Sequence, residues 1–190
     1  MQLGLLCALV LGCAAALGAQ DIKQAAHSRA DRSVNEKYGF SVVRRPKWFV
    51  YNGGEVPSFF NFRPEQSIQG ELPKAGASIV MVVAPAENEQ ERDDALVLWA
   101  DRRVRTHNGT DPERSAVAGP VVTGSSPAIR VAFSSIPLSA DLPSLGYVLV
   151  FWRYRGRSFG LELSYRKDDP SPAHYESVLM EVMRSFTPLH

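Results

Sequence analysis

Four histidines, His27, His107, His174 and His190, are the first candidates for metal or acid–base chemistry. They are widely separated. None has a second ligand at metal spacing, so no metal site is expected. The only cysteines, Cys7 and Cys13, fall within the first twenty residues, so no thiolate chemistry is expected beyond them. No G-x-S-x-G elbow is present. Gly119-Pro-Val-Val-Thr-Gly124-Ser-Ser126 has the glycine spacing of a phosphate loop. Ser125 stands where the lysine must be, and Pro120 removes a backbone donor, so the segment reads as a turn. Asp93-Asp94 and Asp168-Asp169 are adjacent carboxylates. Adjacent residues on a helix diverge, so the first pair reads as compensation of a helix dipole. The second precedes Pro170 and reads as the turn into a helix. What remains is Glu162 with Ser164 or His174, the basis of an alternative reading as an extracytoplasmic hydrolase. Separate residues without a spacing are a poor site, so no catalytic residue is assigned and no cofactor is implied.

Basic and aromatic residues cluster more clearly. Arg44, Arg45 and Lys47 accompany Trp48, and Arg153, Arg155 and Arg157 accompany Trp152 and Tyr154. Such a surface suits an acidic partner, an anionic headgroup or a polyanion. The competing reading is a solvated edge strand, on which basic residues discourage sheet-to-sheet pairing.

The elements that must carry these residues follow from periodicity. Short strands are expected at 38–43, 48–51 and 59–62, with Pro46 and Asn52-Gly53-Gly54 as breaks. The continuous apolar run 77–83 reads as a strand covered on both faces. A helix is expected from about Glu87 to His107. It opens with acidic residues, closes with basic ones and stops at Asn108-Gly109. Asn108-Gly109-Thr110 also matches the N-glycosylation sequon. Strands are expected at 120–124 and 128–133, then a hairpin 147–165 turning at Gly156-Arg157. A last helix runs from Ser171, read as its cap, to Phe186. Strands, helix, strands, helix argues an α+β fold, an antiparallel sheet covered by helices.

Residues 1–19 carry no charge and no aromatic side chain and end in small residues. A bilayer span needs about 20 apolar residues, so this stretch reads as a secretory signal peptide, cleaved after Gly18 or Ala19. It lacks the usual basic start. Val10-Leu11-Gly12-Cys13 offers a second reading, a lipobox with lipidation at Cys13. Residues 20–37 are polar, with only Ile22 and Val34 as large apolar residues, and read as a linker. The domain proper is expected over 38–190.

The chain has 190 residues, 45% of them hydrophobic and 22% charged, with a formal net charge of +1. General disorder is excluded, and there is no bulk electrostatic case for nucleic acid. Length argues one domain plus an extension.

Tyr38-Gly-Phe-Ser-Val followed by Pro46-Lys-Trp48 resembles the opening of PsbP-like domains. The strand Ile79–Val83 leading to a helix, the late hairpin and the closing Arg184-Ser-Phe186 are similar too. The resemblance covers roughly 38–189 and rests on packing residues, so it implies an α/β sandwich rather than a chemistry. Members include extrinsic proteins of the oxygen-evolving complex, a Ran-binding import factor and bacterial envelope proteins. A secretory signal fits only the last group. The resemblance carries over no catalytic residue. The expectation is a monomeric, secreted or periplasmic domain, or a lipoprotein if Cys13 is lipidated. It would bind a protein or small ligand or support an assembly, touching a membrane only if lipidated.

Overall fold

Along 145–166, alternate residues face opposite sides of a sheet. Val148, Val150, Trp152, Phe159, Leu161 and Leu163 enter one core, while Leu149 and Phe151 enter another. Burial on both sides explains why this stretch is so apolar. The structure is a computed structural model that describes residues 32–52, 54–63, 66, 72–84, 95–137, 139 and 142–189. The strands among them are β1 (Arg32–Asn35), β2 (Phe40–Val43), β3 (Phe49–Tyr51), β4 (Ser58–Phe60), β5 (Ala77–Val83), β6 (Gly109–Val117), β7 (Ala128–Ser135), β8 (Leu145–Tyr154), β9 (Arg157–Arg166) and β10 (Thr187–Pro188). The helices are α1 (Ala95–Thr106) and α2 (Pro172–Arg184).

Seven strands form one antiparallel sheet in the order β3-β4-β5-β9-β8-β7-β6, and β1-β2-β10 form a smaller one. On one face of the large sheet, α2 and β2 close the main core. Tyr175, Val178, Leu179 and Val182 of α2 pack with Phe40 and Val42 against Ile79, Leu161 and Leu163. On the other face, Leu96, Ala100 and Val104 of α1 pack on Val131, Phe133, Leu149 and Phe151. The expected α+β sandwich is the one found.

Five expectations change. Residues 32–35, placed in the polar linker, form β1. Val34 is 55% exposed, so backbone pairing with β2 and not burial holds this strand, and composition carries no trace of it. The stretch Gly109–Val117 is also a strand, on the outer edge of the large sheet. It is polar because only one side of it is covered. Pro112 sits where the register slips between Thr110 and Glu113, as edge strands allow. Residues 120–124, expected as a strand, turn instead, with Gly124 at φ +87 and Ser125 making a single bridge to Tyr154. In β5, Ala77, Ile79 and Met81 are buried on one face; on the other Ser78 is buried and Val80 and Val82 are half-buried, so the second face is covered less completely than expected. Ser171 starts α2, but its side chain makes no capping bond. The Ser171 N–H instead donates to Asp169 Oδ1 at 2.8 Å. The acidic start expected for the first helix, at 87–94, lies outside the described residues, as do the signal segment, Cys13, His27 and His190.

Candidate functional site

The β8–β9 hairpin turns one residue earlier than the expected Gly156-Arg157, through Arg155 and Gly156, both left-handed, at φ +49 and +78. Positive φ at both positions is the two-residue turn that matches strand twist, and it favours Asn or Gly first. Arginine there carries a steric penalty of about 1 kcal/mol or more. Its guanidinium carbon lies 5.2 Å from the centre of the Tyr154 ring, and that of Arg157 lies 5.6 Å from the Tyr38 ring. Arg153 Nη2 donates to the Gly156 carbonyl at 3.3 Å. A second turn is tied alongside. Ser126 N–H donates to the Arg153 carbonyl at 2.9 Å, and Arg153 N–H donates to Ser126 Oγ at 2.9 Å. Ser125 Oγ donates to the carbonyls of Pro120 and Val122, closing that turn. Val122 packs against the core while its neighbour Val121 is 88% exposed.

The other basic group lies elsewhere. Arg44 Nη1 donates to the Trp48 carbonyl at 3.4 Å, and Arg45 pairs with Glu181. Lys47 follows Pro46 at φ +68, and Trp48 N–H closes the turn onto the Arg45 carbonyl at 3.1 Å. The ladder sets Phe49 opposite Phe60, Phe60 opposite Ser78, and Ser78 opposite Ser164. Arg157 lies seven positions before Ser164 along β9, roughly 23 Å of strand. Arg44 and Arg45 lie in the β2–β3 connection, on Trp48 and on Glu181 of α2, and not at the β8–β9 turn. Arg153, Arg155 and Arg157 share the hairpin turn, with Arg157 on the Tyr154 face and Arg153 on the opposite one; Arg44 and Arg45 do not join them.

The acid–base set is not assembled either. Glu162 is buried on the α1 face. Arg103 grips both of its oxygens, from Nε and, at 2.5 Å, from Nη2. His107 Nε2 is 3.3 Å from Oε2, and the His107 ring stacks on Tyr147 at 4.5 Å. Burial pushes the Glu162 carboxyl up, but the hydrogen bonds and charges of His107 and Arg103 outweigh it, and the net shift is downward. Burial, and then the Glu162 charge, push the Tyr147 hydroxyl up. Ser164 shares that face but bonds Ser78, Oγ to Oγ at 2.8 Å. His174 is exposed on α2, which packs on the opposite face. Neither expected partner reaches Glu162. Sequence reasoning named His107 but joined neither it nor Arg103 to Glu162; the signal was their spacing of four at the end of the helix, which puts both on one strip.

Two more polar constellations are structural. Asp169 is buried, and its Oδ2 lies 3.0 Å from Tyr175 Oη; burial and then this neighbour raise the tyrosine pKa to about 12. A shallow groove of about 390 Å³ is lined by Val34, Asn35, Lys37, Asn52, Glu55 and Pro57. Lys37 and Tyr38 both hold the Glu55 carboxylate across its rim. Among the described residues, no cluster of three His, Cys, Asp or Glu side chains forms a metal cage, and no helix is long and apolar enough to cross a membrane.

No protein-family model matches the chain, and no curated protein matches it in sequence. Solved structures do match. The Ran-binding protein Mog1p of Saccharomyces cerevisiae superposes with TM-score 0.55 at 11% identity, over 83% of this chain and 94% of that one. A point mutant of Mog1 gives TM-score 0.52 at 12% identity, over 80% and 91%. This chain has the Mog1/PsbP-type fold. The cyanobacterial PsbP of Synechocystis sp. PCC 6803 matches over 83% of this chain and 91% of that one, with TM-score 0.46 and 12% identity. In the Mog1/PsbP-type sandwich seen here, the hairpin end is the outer tip of the two longest strands, β8 and β9.

Proposed function

We propose that the chain is a non-catalytic binding or assembly domain that works outside the cytoplasm. The observation that carries this reading is the state of Glu162. The one buried glutamate among the described residues has both oxygens bound by Arg103, and no serine hydroxyl touches it. A carboxylate held ionised by an arginine fork neither donates a proton nor has a nucleophile to activate. It serves instead to fix α1 on the sheet. The fold shared with Mog1p, whose structure is described as Ran-binding, supports a binding role for this architecture. The charge-free first nineteen residues support export, by conventional cleavage or by lipidation of Cys13.

The candidate surface is the hairpin end, with Arg153, Arg155 and Arg157. The test has two arms. A broad hydrolase panel is run on the chain and on Glu162→Gln, and no turnover is expected from either. Turnover lost in Glu162→Gln overturns the reading. In the second arm, the purified chain is titrated into native envelope extract. A saturable partner lost on Arg153/Arg155/Arg157→Ala is expected, and a chain that retains every partner after that change does not bind through this end.

A further inference from the structure

The hairpin end combines features that an acid-binding strand tip does not need. Val121 is 88% exposed at the apex of its turn, while Val122 beside it is anchored in the core, so the backbone holds Val121 outward. The Ser126–Arg153 hydrogen bonds lock that apex to the Arg155-Gly156 turn, so both protrude from one end. Arg153 and Arg155 engage a backbone carbonyl and an aromatic ring, and among the described residues no carboxylate pairs with either. Arg155 keeps its place although the left-handed turn favours Asn or Gly. Tyr154, half-buried under Arg155, is an aromatic with an apolar body and a polar tip, the type that settles at membrane–water boundaries.

We propose that this end docks peripherally on an anionic phospholipid surface. The Val121 apex would enter the headgroup boundary, with the guanidinium forks of Arg153, Arg155 and Arg157 on lipid phosphates. A deformable interface is what an exposed apolar apex flanked by cations fits. Guanidinium geometry suits phosphate oxygens in pairs. The proposal names the partner of the binding reading and rests on it.

The test is co-sedimentation of the full chain with vesicles of phosphatidylcholine alone and of equal parts phosphatidylcholine and phosphatidylglycerol. The variant Arg153/Arg155/Arg157→Ala leaves the first nineteen residues and their α-amino charge unchanged. The part of the preference for anionic vesicles that this variant loses therefore reads the basic end. That preference is expected to be salt-sensitive. It should fall about fivefold for each arginine removed, or roughly 100-fold in Arg153/Arg155/Arg157→Ala. Val121→Ser should weaken anionic binding severalfold while leaving the salt dependence in place. Val121 and Arg155 are exposed and Arg153 and Arg157 half-buried, and circular dichroism checks that each variant is folded. Equal binding to both vesicles overturns the proposal, as does a preference untouched by the triple variant. Arginine-dependent binding to polyglutamate without any vesicle preference assigns the end to an acidic protein; it overturns the lipid proposal and leaves the binding reading standing.

Discussion

Single side chains here are set by their partners more than by their own preferences. Glu162 would be intolerable on a buried face without Arg103, and breaking such a pair costs about 3 kcal/mol or more because a charge is left uncompensated. Arg103→Met is therefore expected to lower unfolding stability by about 3 kcal/mol at neutral pH, read by urea titration. The folded-state pKa of Glu162 is below the ordinary glutamate value of 4.5. Its contribution to stability is thus complete above that value and is lost as pH falls through the lower folded-state value. Wild type should lose more stability than Glu162→Gln between pH 7 and the acid side of that range. Equal losses would assign the acid sensitivity to other carboxylates. Lys47 and Arg155 make the opposite case, since their backbones are left-handed without glycine. Lys47→Gly and Arg155→Asn should each raise stability by roughly 0.5–1 kcal/mol. In Arg155→Asn the gain should accompany weaker anionic binding, which separates the residue's function from its structural cost.

Among the elements, the β8–β9 hairpin carries most of both cores. Gly160 lies opposite Phe151, and a Cβ there would meet Phe151 Cδ1 at 2.3 Å and Val82 Cγ2 at 2.9 Å. Gly160→Ala is expected to cost about 1–3 kcal/mol, since a packed ring must move on the α1 face. Trp152 is fully buried among Phe159 and Phe186, and its Nε1 has no hydrogen-bond partner among the described residues. Trp152→Phe removes that unpaired donor along with some volume, so its loss should be clearly smaller than the roughly 3–5 kcal/mol of Trp152→Ala. Comparable losses for the two variants would mean that the indole volume alone matters. The hairpin and α2 were legible in the sequence because each buries a periodic face. β1 and β6 were not. A strand held by its ladder on a solvent-facing edge needs no apolar period, and Asp111, Pro112, Glu113 and Arg114 read as loop until β7 is placed beside them.

For the whole molecule, the first described strand sets the boundary. A chain beginning at Tyr38 would lose the β1–β2 ladder and the 3.2 Å bond from Ser33 Oγ to Asn52 Oδ1. It should be about 2 kcal/mol less stable than one beginning at Arg32, with the same fold by circular dichroism. Because Cys7 and Cys13 are the only cysteines and both lie before β1, reducing agent should leave the melting temperature unchanged. The sequence by itself determined the architecture. Alternating and helical apolar periods specify which faces must be buried, and few arrangements bury them all. It also determined that charge would concentrate on the late hairpin. Only the tertiary structure decided which charges share a surface. Register and sheet order tied the Ser126 turn to Arg153, left Arg44 on Trp48 and Arg45 on Glu181, and closed Arg103 on Glu162. Apart from the Arg44 contact, those pairings join residues distant in sequence, and no local period encodes which strand lies next to which.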